Sequence, residues 1–167
     1  MTMTFQDEGT AARYFKGTSI PANLAAITAT QWAAGTDIAG ALVVGSSTFQ
    51  FTDPDTIDEK SYKDKGKSQI PTTDNYEGNA TMRRDRTATG TLSATDPTKI
   101  FVPREEGYIA LRPGVPEDTA VAIGQDYVYF KYMVSKVNPL TAPNGETEKV
   151  EIGFLQRGDA GFGVIAA

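Results

Sequence analysis

The sequence predicts a mainly β domain: a β-sandwich or barrel of about seven to eight strands, with a short flanking helix and one long polar loop. Three observations lead there. No apolar pattern of helical period extends beyond about three turns. Several segments instead alternate apolar and polar residues, as in STFQFTD at 47–53 and NYEGNATMRRD at 75–85. Turn formers punctuate them, with 16 glycines and 9 prolines spread along the chain. Its 167 residues suit a single domain, large enough to bury a core without covalent staples.

Residues 1–20 hold few periodic apolar positions and read as an N-terminal arm or a poorly formed edge strand. In PANLAAITATQWAAGTDI, Thr28 or Thr30 caps a short helix through Gln31, Trp32 and Ala34, and Gly35 stops it. Trp32, the only tryptophan, is expected to anchor that helix on a sheet. IAGALVVGSSTFQFTD at 38–53 reads as a strand, a Gly-Ser turn and a second strand with Phe49 and Phe51 on one face.

The next segment, PDTIDEKSYKDKGKSQIPTTD at 54–74, offers little to bury beyond Ile57, Tyr62 and Ile70 and is dense in both signs of charge. A connection of that length in a compact domain is usually functional or disordered. Residues 75–85 then place Tyr76, Gly78, Ala80 and Met82 on one face of a strand. ATGTLSA at 88–94 reads as a weaker strand, and Asp96-Pro97 starts a helix of one or two turns.

A short strand runs through Tyr108, Ile109, Ala110 and Leu111 and ends at Pro113-Gly114. DYVYFKYMVSKVNPL at 126–140 is the strongest strand, with Tyr127, Tyr129 and Met133 on one face and Val128, Phe130, Tyr132 and Val134 on the other. Apolar residues on both faces imply cover on both sides, from the sheet's own layers or from a neighbouring subunit. Asn144-Gly145 signals a hairpin to the strand carrying Val150, Ile152 and Phe154. The apolar, glycine-rich tail at 159–167 is expected to dock on something.

Composition excludes much chemistry. With no histidine and no cysteine, Ser-His and Cys-His catalysis, disulfides and imidazole or thiolate metal sites are impossible. Paired carboxylates remain, at Glu105-Glu106, Asp53-Asp55 or Glu117-Asp118, but all sit in turn-like contexts where solvated acids are expected. DPDTIDE at 53–59 lacks the glycine and closing glutamate of a calcium loop. No enzymatic activity, metal or cofactor is therefore expected. The net charge of −5 argues against a dedicated nucleic-acid binder, whose affinity comes from phosphate neutralisation. Arg83 and Arg84 point to opposite faces if both lie in a strand, so they form no single patch. No run approaches the ~20 apolar residues of a membrane span, and the N-terminus lacks the apolar segment of a signal peptide.

The order of motifs resembles the major tail proteins, or tail tube proteins, of long-tailed, non-contractile phages infecting actinobacteria. The stretches that carry the likeness are T-A-x-x-W-x-x-G-T-D-I, the D-N-Y-E-G-N strand entry at Asp74–Asn79, G-Y-I-A-L-R-P-G and V-Y-F-K-Y-M-V-S-K-V, within residues 25 to 160. The resemblance implies a structural virion protein, made and assembled in the host cytoplasm. Its subunits would join sheets edge to edge in hexameric rings, and the rings would stack into a helical tube for genome ejection. Its partners would be itself, the tape measure, the tail terminator and the distal tail, while DNA passes through the lumen unread.

On that reading residues 54–74 form an inter-subunit loop, with Asp58, Glu59, Lys60, Tyr62, Lys63, Asp64, Lys65 and Lys67 meeting the next ring. Arg83, Arg84, Tyr127 and Tyr129 are the candidates for subunit joints. Two other functions fit the composition: a monomeric β-sandwich binding module using Trp32 and surface tyrosines, and a capsid-decorating or head-completion protein.

Overall fold

A computed structural model describes residues 10–58 and 69–167. Seven strands form one antiparallel sheet: β1 (Ala11–Lys16), β2 (Thr36–Asp37), β3 (Leu42–Asp58), β4 (Gln69–Arg83), β5 (Glu106–Arg112), β6 (Asp126–Leu140) and β7 (Lys149–Val164), in the order β2-β1-β5-β6-β7-β4-β3. Two short helices, α1 (Ala29–Ala34) and α2 (Pro97–Ile100), flank it.

The sheet curls until its ends nearly meet. Ile38 donates its amide to Ala12 of β1 at 3.1 Å, while Ala41 accepts from Arg83 of β4 at 2.7 Å. Residues 38–41 thus span the gap between opposite ends of the strand order, roughly 10 Å of chain. Curling turns one face inward as the main core. Phe49, Tyr76, Met82, Ile109, Phe130, Tyr132, Val134, Ile152 and Phe154 pack there, and Phe51 of β3 meets Phe130 of β6 at 5.1 Å although two strands lie between them. Phe101, just after α2, seals one side of this core against Tyr14 and Phe154, with centroids at 4.6 and 5.5 Å.

The other face carries a smaller core of Phe15, Ile27, Trp32, Tyr108, Tyr127 and Ile165. Trp32 brings α1 onto it, as expected. Thr28 caps that helix through a capping box with Gln31, and Gly35 ends it. The both-sided apolar pattern of β6 is explained within the subunit, because Tyr127 faces the smaller core and Val128, Phe130, Tyr132 and Val134 face the larger.

Three expectations need correction. The Gly-Ser turn at 45–46 is instead a bulge within the continuous strand β3: Gly45 adopts φ 74°, and the register shifts between Leu42 and Ser47. The polar loop at 54–74 is shorter than its composition suggested, because Asp55–Asp58 pair with Thr73–Gln69 and extend the β3–β4 hairpin. An outlying hairpin has no core to face, so no alternation announces it. Finally, residues 88–94 form turns around a single Arg86–Leu92 bridge, with Thr87 and Thr91 bonding each other in place of a ladder.

The described segments nearest the two termini hold positions in the fold. Residues 11–16 are β1, paired with β2 and β5. At the C-terminus β7 runs to Val164, and Ile165 enters the smaller core, held by bonds to Gln125 and from Gly124.

Candidate functional site

The sheet's β3 end is an open edge. Among the described residues no strand lies beyond β3 in the strand order, and Thr52–Thr56 stand exposed along it. β4 pairs with β7 only from Gly78 to Arg83, so the distal part of the β3–β4 hairpin projects past its neighbour. At the point of divergence the Gln156 side chain substitutes for the missing ladder, accepting from the Tyr76 amide and donating to the Asp74 carbonyl, both at 3.1 Å. Between hairpin and β7 a cleft of about 350 Å³ opens, lined by Phe51, Thr52, Asp74, Asn75, Ala160, Gly161 and Phe162.

Of the residues expected at the inter-ring loop, Asp58 is the last of β3 and pairs with Gln69 in the backbone ladder. Glu59, Lys60, Tyr62, Lys63, Asp64, Lys65 and Lys67 lie outside the described residues. The four joint candidates separate. Arg83 is exposed and makes no ion pair among the described residues. Arg84 turns inward, 13% exposed, toward Asp96 at 3.5 Å and Glu148 at 3.8 Å. Tyr127 is buried in the smaller core, its hydroxyl donating to the Leu24 carbonyl and accepting from the Ile27 amide. Tyr129 is half-buried, its ring lying where a side chain at Gly161 would be.

The same packing recurs along β7. Tyr127 lies over its cross-strand partner Gly163, and Tyr132 lies over Gly78 on β4, so a Cβ at either glycine would collide with the ring. These glycines let tyrosines lie flat across the sheet.

Three of the carboxylates considered for catalysis are engaged with cations. Glu105 pairs with Lys16 at 3.1 Å, Glu106 with Arg157 at 2.8 Å, and Glu117 with Arg13. Glu106 is held below the usual carboxylate range, chiefly by the Arg157 hydrogen bond. Glu117 is pushed up by burial, against the pull of Arg13. No three acidic residues among those described converge on a possible metal position. Trp32 is 1% exposed, with the Arg112 guanidinium 4.9 Å from its ring centroid. It offers no stacking platform for a sugar, which removes one of the two features behind the binding-module alternative, the other being surface tyrosines. Among the described residues no helix is long and apolar enough to cross a membrane.

Sequence reasoning missed the cleft and the exposure of Phe162, at 61%, on its wall. The signal was present in the apolar tail, but only the divergence of β4 from β7 shows which of its side chains stay outside.

No curated protein matches the chain. A family model does, described as phage tail tube protein and matching residues 1–167. The match extends over the whole chain, the mainly β fold agrees with the expectation from sequence, and the chain belongs to the phage tail tube protein family, structural components of the virion tail.

Proposed function

We propose that this protein is the repeating subunit of the tail tube: six copies join sheet to sheet in a ring, and stacked rings form the conduit through which the genome leaves. The observation that carries this reading is the open β3 edge, continued by a hairpin that projects beyond its neighbouring strand. An unpaired edge of that length invites pairing with another chain, and in an assembling subunit it becomes a joint. Arg83 and the exposed part of Tyr129 meet neighbouring subunits, while Arg84 and Tyr127 hold the strands that carry them. The inter-ring loop expected at 54–74, with Asp58, Glu59, Lys60, Tyr62, Lys63, Asp64, Lys65 and Lys67, contacts the next ring.

The protein acts without catalysis. Its net charge of −5 suits a conduit, since a lumen with few free cations lets phosphate slide past. The tape measure, tail terminator and distal tail proteins are its other partners in the tail. Negative-stain electron microscopy of the purified protein over a concentration series tests the reading. Rings and hollow stacks that lengthen with concentration are expected. Single small particles at every concentration, and also in the presence of a tail initiator complex, would refute it.

A further inference from the structure

Asn144-Gly145, the one Asn-Gly pair in the sequence, lies in the connection between β6 and β7. The Glu146 amide donates to the Pro143 carbonyl at 3.1 Å, and Gly145 takes φ 88°, so these four residues make a type II turn with glycine at its positive-φ position. Asn144 and Gly145 are both exposed, and nothing lies within 4 Å of the place a Gly145 side chain would take. Among the described residues, neither the Asn144 side chain nor the Gly145 amide has a hydrogen-bond partner.

The other four asparagines are each restrained. Asn138 precedes Pro139, which has no amide hydrogen to give up. Asn75 precedes Tyr76, whose amide is bound by the Gln156 side chain at 3.1 Å, and Asn75 itself donates to the Asp53 carbonyl. Asn79 donates to Glu151, and the Ala80 that follows is fully buried in the ladder between β3 and β7. The Asn23 side-chain oxygen accepts from the Ala25 amide at 3.1 Å. Leu24, next in sequence, packs on the smaller core with its carbonyl bound by the Tyr127 hydroxyl.

We propose that Asn144 is a site of spontaneous covalent modification: in the folded protein it deamidates through a cyclic imide, ahead of every other asparagine. Hydroxide removes the Gly145 amide proton, and the nitrogen attacks Cγ of Asn144. A new C–N bond closes a succinimide ring. The bond from Cγ to the side-chain nitrogen breaks, and ammonia leaves with a proton from water, which restores the hydroxide. A second water opens the ring at either carbonyl, giving aspartate or isoaspartate. In sum one water is consumed and one ammonia released, with no oxidation. Glycine at 145 leaves the approach of the nitrogen unobstructed.

The product adds one negative charge to a chain of net charge −5. It appears beside Glu146 and Glu148, which already pair with Lys149 and with Arg84 and Arg86. Below the turn the ladder continues from Leu140 paired with Lys149, so the strands do not depend on the altered residue. The turn therefore gains charge with time while the fold stays intact. None of this chemistry depends on assembly.

Incubating purified protein at neutral and mildly alkaline pH, followed by peptide mapping and isoaspartate methyltransferase labelling, tests the site. Acid should replace amide at Asn144, with isoaspartate among the products, at a rate proportional to hydroxide concentration and with unchanged circular dichroism. Asn144→Gln should abolish the conversion. Gly145→Asp tolerates the positive φ but crowds the nitrogen, and should slow it severalfold. In urea, conversion at Asn23, Asn75 and Asn79 should rise severalfold, because their restraints are lost. An Asn144 that keeps its amide while a peptide of residues 141–148 converts would overturn the proposal. So would native conversion spread evenly over the exposed asparagines, or rates at Asn23, Asn75 and Asn79 that urea leaves unchanged.

Discussion

Asp96 has no exposed surface, yet its carboxyl is held below the usual carboxylate range. Burial opposes its ionisation, but Thr98 donates from both its hydroxyl and its amide, Asp85 donates its amide, and Arg84 adds its charge. One side chain therefore caps α2 and ties residues 84–85 to it, next to the Phe101 that seals the core. Because its folded pKa is depressed, the stability it contributes is present above the unfolded value near pH 4 and is lost as pH falls through the folded pKa. Asp96→Asn keeps a capping oxygen but turns an amide donor toward groups that already donate. It should cost about 1–3 kcal/mol. Urea midpoints measured from neutral to acid pH should show this loss, together with a shallower acid slope below about pH 4 than the wild type shows. An unchanged slope would mean that Asp96 is not among the groups controlling acid unfolding.

At the scale of elements, the sequence marks helices more clearly than it marks the projecting hairpin. Thr28 with Gln31, and Asp96 with Pro97, are local signals whose chemistry is complete within four residues, and both helices start where they indicate. The outer hairpin lacks such a signal: prolines at 54 and 71 and the flanking charges suit a loop as well as they suit a solvated edge. Its pairing, Asp58 with Gln69 included, comes from the antiparallel ladder itself. Replacing residues 59–68 with Asn-Gly should therefore close a short hairpin on that register and leave the β fold intact by circular dichroism. The same replacement should abolish ring stacking in electron micrographs, and normal tubes from it would remove residues 59–68 from the stacking contact.

Across the whole molecule, a single curled sheet feeds both cores, with β6 bearing residues of each. Neither core has its own sheet, so loss of one exposes the back of the other. Unfolding in urea should then be one transition. Trp32 reports the smaller core by fluorescence and far-ultraviolet circular dichroism reports the sheet, and the two midpoints should coincide. Separate midpoints would show that the α1 layer detaches by itself. Buried Arg112 argues for coupling: it lies against Trp32 and bonds to Gln125 and to the Thr119 carbonyl, fastening the 113–125 connection to the same core.

What the sequence by itself determined is the class of fold, most strand positions, both helix starts, the exclusion of histidine- and cysteine-based chemistry, and the likeness to tail tube proteins. Each rests on local periodicity, local capping or simple presence and absence. Tertiary structure decided which end of each strand is covered. Phe51 and Phe162 look like core residues in the sequence, and Phe51 does pack against the main core, yet Phe162 stays largely exposed because β4 leaves β7 beyond Gly78. Arg83 and Arg84 are adjacent in sequence and differ in fate because the strand ends between them, freeing one and turning the other onto Asp96. Burial is a property of what lies opposite, and in an antiparallel sheet the opposite residue is set by register, which pairs positions dozens of residues apart.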